Sequence, residues 1–121
     1  MLSFLFDVDG TLTPSRTKIN LQFGNWMEHF ATHNACYWVT GSPKYLTERQ
    51  LGGIYDLAIR SYRSNKSQIL SDFNIAQVVF FGDKTEEGGN DHEIAEAVKA
   101  GGGKVHAVNG WEDTWAILKQ L

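Results

Sequence analysis

The chain has 121 residues, 42% apolar and 21% charged, with a formal net charge of -3. That length suits one domain with a single core, and the composition excludes a disordered class. An acidic balance without a long basic run argues against nucleic-acid binding, no apolar run approaches membrane-spanning length, and the single cysteine, Cys36, excludes an internal disulfide and suits a reducing, cytoplasmic setting.

Leu2, Phe4, Leu5, Phe6 and Val8 form a near-continuous apolar segment, the pattern of a parallel strand covered on both faces. It ends in Asp7, Asp9, Gly10 and Thr11. Two acids at the carboxyl end of a parallel strand, where ligands bind, cost desolvation energy unless hydrogen bonds or a cation such as magnesium offset it. One Asp could instead cap the next helix, and a calcium loop is a second alternative, although Gly10 comes too early for the D-x-[DN]-x-[DN]-G pattern. Residues 12–18 form a polar connection in which Arg16 is either a solvated charge or a guanidinium aimed at an oxyanion. Ile19, Phe23, Trp26, Met27 and Phe30 fall on one face of a helix ending near Asn34. His29 and His33 lie four apart on it without the glutamate of an H-E-x-x-H zinc motif and are read as solvated.

Residues 35–39 give a second strand, and Thr40 stands at its carboxyl end as a local turn bond or as a ligand to a bound group. Ser42 is the expected cap of a helix over 44–51, with Pro43 in its first turn and Gly52-Gly53 as its breaker. A third strand is expected over 54–59, a polar loop over 60–65, and Lys66 opens a short helix with Ile69 and Leu70 inward. The strand over 77–81 runs into Asp83, which can reach the same crevice as Asp7. Gly88 and Gly89 let Asn90 and Asp91 turn back toward that crevice, with Asp91 competing as the cap of a helix over 92–100. The run Gly101, Gly102, Gly103, Lys104 lacks the spacing of a nucleotide-binding phosphate loop. A fifth strand over 104–108 and a helix marked by Trp111, Trp115 and Leu118 close the chain. Strands alternating with helices predict an α/β, three-layer, Rossmann-like fold: a mainly parallel five-stranded sheet flanked by helices, with Asp7, Asp9, Thr40 and Asp83 gathered at one edge.

The stretch from Asp7 to Thr13 resembles the first motif of the haloacid dehalogenase superfamily, whose members carry phosphoryl groups on an aspartate. The stretches from Phe80 to Thr85 and from Gly88 to Ile94 resemble the eukaryotic-type phosphomannomutases within that superfamily. The resemblance implies a haloacid dehalogenase-like core over 1–121, with Asp7 as nucleophile and Asp9 as general acid and base. It further implies Thr40 bonding the phosphoryl oxygens and Lys66 neutralising them. Mg²⁺ would be held by Asp7, Asp83 and the backbone carbonyl of Asp9, with Asn90 and Asp91 beside them. Arg16, Gly41 and Ser42 are carried over as substrate-binding; Tyr62 and Arg63 are candidates for substrate contact from their place just before Lys66.

The cap that such mutases insert between Gly41 and Lys66 is missing, and so is the Phe-x-Asp segment after the last motif, where Glu96 and Ala97 stand instead. The expected function is therefore Mg²⁺-dependent hydrolysis of a small phosphorylated substrate, a sugar phosphate or a nucleotide, with neither nucleic acid nor membrane as partner. A phosphomannomutase-like phosphotransferase capped by a partner or subunit is one alternative, and a catalytically silent binding module of the same fold is the other. Four tryptophans and seven phenylalanines are compatible with a homo-oligomer.

Overall fold

Phe4, Leu5, Phe6 and Val8 are all buried, as the opening apolar run requires, and they set β1, Ser3–Asp7, at the centre of the sheet. The computed structural model describes residues 1–57 and 71–121 in full and residues 60–63 as backbone. In chain order the elements are β1, α1 (Leu21–His33), β2 (Ala35–Thr40), α2 (Lys44–Leu51), β3 (Arg60–Arg63), β4 (Val78–Gly82), α3 (His92–Ala100), β5 (Lys104–Ala107) and α4 (Trp111–Leu118). The five strands pair in the order β3-β2-β1-β4-β5, and every pairing is parallel.

The chain thus builds outward from β1 on one side, through β2 to β3, and then crosses to the other side for β4 and β5. The strand order reverses beside β1, and in an open parallel sheet the crevice outside the carboxyl ends of the strands at such a point is where ligands bind. Asp7 is the last residue of β1, Thr40 the last of β2, and Asp83 follows the last of β4. The predicted gathering of polar residues is a direct consequence of this topology.

Alternation along the strands divides the core in two. Phe4, Phe6, Val79 and Phe81 pack with Phe23, Met27 and Leu118 on one face, whereas Leu5, Val78 and Phe80 pack with Ile94, Ala95 and Val98 on the other. Helices α1 and α4 therefore cover one side and α3 the other, giving three layers. Phe23 stacks on Trp111 and meets Trp115 at a tilt, and Trp26 stacks on Phe30, with the tryptophans partly buried against the core. Cys36 is fully buried.

The third strand is misplaced in the sequence reading. Residues 54–57 belong to a 3₁₀ turn, Gly52–Leu57, and β3 begins at Arg60, inside the expected polar loop. Gly52 ends α2 with φ 60, and the apolar residues after it serve the core from the turn: Ile54 is buried there, and the Tyr55 carbonyl accepts a bond from Trp38 Nε1. As an edge strand β3 needs only the backbone of β2 as partner, so it lacks the apolar signature of a central strand. The helix expected from Lys66 lies outside the described residues.

Candidate active site

A tight turn fixes the residues that follow β1. The Val8 carbonyl accepts bonds from the N–H groups of Thr11, Leu12 and Thr13, and Gly10, at φ 77, donates to the Thr13 carbonyl. Gly10 is required twice over, because its left-handed backbone disfavours a side chain and a Cβ there would run into the Asp83 carboxyl. Thr11 Oγ1 lies 3.5 Å from Asp7 Oδ2 as a hydrogen-bond donor.

The loop after β4 folds back on itself. Asp91 N–H donates to the Lys84 carbonyl at 2.9 Å, Gly88 takes φ 89, and the Lys84 N–H donates to Asp91 Oδ2 at 3.4 Å. Asp91 occupies the N-cap position of α3, yet its side chain bonds no helix N–H; it turns toward the acids instead. The capping alternative for Asp91 is thereby displaced. Asp7, Asp83 and Asp91 each present a carboxylate oxygen to the others, all within 4.8 Å, with Asp7 8% and Asp91 6% exposed.

The electrostatic result is large. Burial first, then the charge of Asp91 and the bond and charge of Asp83, push Asp7 from 3.8 up to about 9. Burial and Asp83 likewise push Asp91 up to about 6, against the lowering bond from Lys84 N–H.

Asp9 belongs to a different arrangement. Its carboxylate is not part of the three-acid group: Oδ1 accepts the Arg16 N–H at 2.9 Å and the Gln50 side-chain N–H at 2.5 Å. The expectation that Asp9 serves a metal rests accordingly on its carbonyl. The Gln50 side chain, on a residue 7% exposed, also donates to Thr13 Oγ1 at 3.3 Å, and the Gln50 backbone carbonyl accepts from Ile19 N–H at 2.8 Å. Sequence reasoning passed over this residue. The signal was present, because Thr47, Gln50 and Leu51 form the buried stripe of α2, and a glutamine on such a stripe needs a partner.

Thr40, 9% exposed, accepts the Ser42 N–H on Oγ1 at 3.1 Å. Ser42 does not cap α2 as expected; Pro43 is the N-cap residue and has no side-chain bond to give. A cavity of about 450 Å³ opens over the acids, and Asp7, Asp9, Arg16, Thr40, Gly41, Ser42, Asp83 and Asn90 all line it. Lys84 lines it too, a residue the sequence reading left in the loop although it directly follows Asp83. Arg16 stands on the rim, exposed, with φ 54. Lys66 lies outside the described residues, and of Tyr62 and Arg63 only the backbone, on β3, is described.

Residues 62–121 match the family model of eukaryotic phosphomannomutase. The phosphomannomutase of Arabidopsis thaliana is 50% identical over 54 residues, 45% of this chain and 20% of that protein. The phosphomannomutase of Nicotiana benthamiana is 51% identical over 45 residues, 37% of this chain and 16% of that protein. The matched stretch thus spans about a fifth of these curated relatives or less. Among solved structures, the cobalt-bound form of the deoxy-D-mannose-octulosonate 8-phosphate phosphatase of Haemophilus influenzae shares the fold, with a TM-score of 0.62 and 17% identity over 98% of this chain and 88% of that one. Asp83, Asn90 and Asp91 fall within the stretch matched by the family; Asp7, Asp9 and Thr40 precede it.

Proposed function

We propose that this chain, a haloacid dehalogenase-type core whose residues 62–121 resemble the eukaryotic phosphomannomutases, is a Mg²⁺-dependent phosphomonoester hydrolase. One observation carries the reading: three carboxylates crowd one point at the strand ends while a fourth, Asp9, is held beside them by its own partners. The first set suits a cation, and the fourth acid is available for proton transfer.

Three carboxyl groups this close, two of them buried and Asp83 partly so, repel one another, and a divalent cation removes the conflict. An all-oxygen donor set fits a hard ion such as Mg²⁺. Asp7, Asp83 and Asp91 would hold it, with the Asp9 carbonyl and Asn90 at hand, and the ion would supply charge neutralisation for Asp7 and for the phosphate.

Asp7 attacks phosphorus in line, its oxygen forming the new bond as the bond to the ester oxygen breaks. Asp9 gives its proton to that departing oxygen. A water then attacks the aspartyl-phosphate, Asp9 takes the water's proton, and the bond to Asp7 breaks to release inorganic phosphate. Thr40 orients the phosphoryl oxygens from the end of β2, and Lys66 is assigned the remaining neutralisation. Arg16, Gly41 and Ser42 are assigned to the substrate.

Hydrolysis rather than transfer back to a sugar is favoured by the open rim. Arg16, Gly41 and Asn90 are exposed, and α2, the 3₁₀ turn and β3 take up the segment after Thr40 where a cap would be inserted. Water that reaches an aspartyl-phosphate competes with any sugar hydroxyl. The chain therefore acts as one uncapped core over 1–121, and its substrates are small phosphorylated molecules, with sugar phosphates first.

The test is phosphate release from sugar phosphates, nucleotides and an aryl phosphate, with and without Mg²⁺. Release should require Mg²⁺ and fall at least about a thousandfold, roughly 4 kcal/mol of barrier, in Asp7→Asn and in Asp9→Asn. Interconversion of hexose phosphates without net phosphate release would overturn hydrolysis. Equal rates in wild type and Asp7→Asn would overturn the nucleophile.

A further inference from the structure

We propose that a second cavity beside the acids is an anion subsite, so that the leaving group of the substrate carries a phosphate or carboxylate of its own. The inference rests on the phosphohydrolase reading above and goes further, to substrate class. The cavity measures about 470 Å³, within the range of small-molecule sites, and it adjoins the first, since Arg16, Gly41 and Ser42 line both.

Its charge is opposite to that of its neighbour. Arg16, Lys18 and Arg49 line it and no carboxylate does, whereas the adjoining cavity has Asp7, Asp9 and Asp83 in its wall. Three cations at one concavity stand out in a chain whose net charge is -3. None of the three forms an ion pair among the described residues, and residues 58–70 contain neither Asp nor Glu to supply one. Guanidinium groups that line one hollow without an ion-pair partner fit an oxyanion, which arginine meets with two parallel N–H bonds.

The walls are also fixed relative to each other. Arg16 and Lys18 come from the loop before α1, and Arg49 from the last turn of α2. Two contacts of Gln50, next to Arg49, join them: its carbonyl accepts Ile19 N–H at 2.8 Å, and its side chain reaches Asp9, which accepts Arg16 N–H. A subsite clamped to the proton-transferring residue places a second anion at a set distance from the departing oxygen. Neutral leaving groups would leave the three cations unanswered.

The experiment pairs substrates that differ by one anion: 3-phosphoglycerate against glycerol 3-phosphate, and fructose 1,6-bisphosphate against fructose 6-phosphate. With Mg²⁺, at least one pair should show a preference in kcat/KM of about tenfold or more for the partner that carries the second anionic group, and which pair does so tells carboxylate from phosphate. Lys18→Ala/Arg49→Ala, and separately Arg49→Glu, should bring that ratio close to one. The same four compounds are titrated calorimetrically into metal-free protein, where the member carrying the second anionic group should bind about fivefold tighter to wild type than to the double variant. Ratios near one in wild type, or a preference that survives both variants, overturn the subsite. If no compound is hydrolysed but the binding difference stands, the hydrolase reading fails and the subsite holds.

Discussion

Asp7 is a buried side chain beside two other acids, and the reaction proposed for it needs a carboxylate ready to attack phosphorus, two demands that its surroundings set in opposition. Raised to about 9 without a cation, it is protonated at neutral pH and cannot act. In the proposed mechanism cation binding and nucleophile activation are thus one event, which is why strict Mg²⁺ dependence is expected. Gln50 illustrates the same logic for Asp9, because a side-chain N–H aimed at one oxygen fixes the carboxyl's orientation for the two proton transfers proposed for it. Gln50→Ala should cost about 1–3 kcal/mol of stability through the lost bonds. It should also lower kcat about tenfold with KM little changed, whereas a purely structural role would spare the ratio of the two. Steady-state kinetics with a melting curve on the same sample separates these outcomes. No pattern of charged residues announces Gln50; only its place on the buried stripe of α2 does.

At the level of elements, the turn after β1 and the loop after β4 act as two halves of one clamp. Gly10 lets the first pass close beneath Asp83, and the return of residues 84–91 brings Asp91 opposite. Gly10→Ala should therefore hurt on two counts, about 1–2 kcal/mol for the left-handed backbone and a displaced Asp83 besides. The expected result is Mg²⁺ affinity reduced about tenfold or more, measured by titration, in a protein that still folds. These halves were legible beforehand because each is a carboxylate at the end of a central strand, flanked by glycine. The edge strand was not legible. Its position is decided by pairing with β2 and by the 3₁₀ turn that delivers Ile54 to the core, and neither leaves a period in the sequence. The bounds of α2 were legible, but its cap was not: Pro43 rather than Ser42 holds the N-cap position and has no side-chain bond to give, while the Ser42 N–H turns back to Thr40 Oγ1.

For the whole molecule, the site sits where folding concentrates unfavourable charge, and pH should expose that cost. The folded, metal-free chain holds a proton on Asp7 up to about 9 and on Asp91 up to about 6, whereas unfolded carboxyl groups release theirs near 3.8. Between those values the folded state binds more protons, so these groups make stability fall as pH rises from about 4 toward 9. In chelator, the melting temperature should drop between pH 5 and pH 8, the drop should shrink in Asp7→Asn, and Mg²⁺ should restore more stability at pH 8 than at pH 5. Most of the architecture was readable because a central parallel strand buried on both faces has an unmistakable composition. What lay beyond reading was the separation of the acids into a cluster of three and a fourth, Asp9, held by its own partners, which the proposal reads as three for a cation and one for a proton. That division is the central claim, and the most direct test is to find the phosphoryl group. Wild type mixed with a hydrolysable phosphomonoester and Mg²⁺ is quenched during turnover, reduced with borohydride and digested for mass spectrometry. The account predicts reduction of the acyl-phosphate at Asp7 alone, absent without Mg²⁺. Turnover with Asp7 unmodified, or label on another carboxyl group, would contradict it.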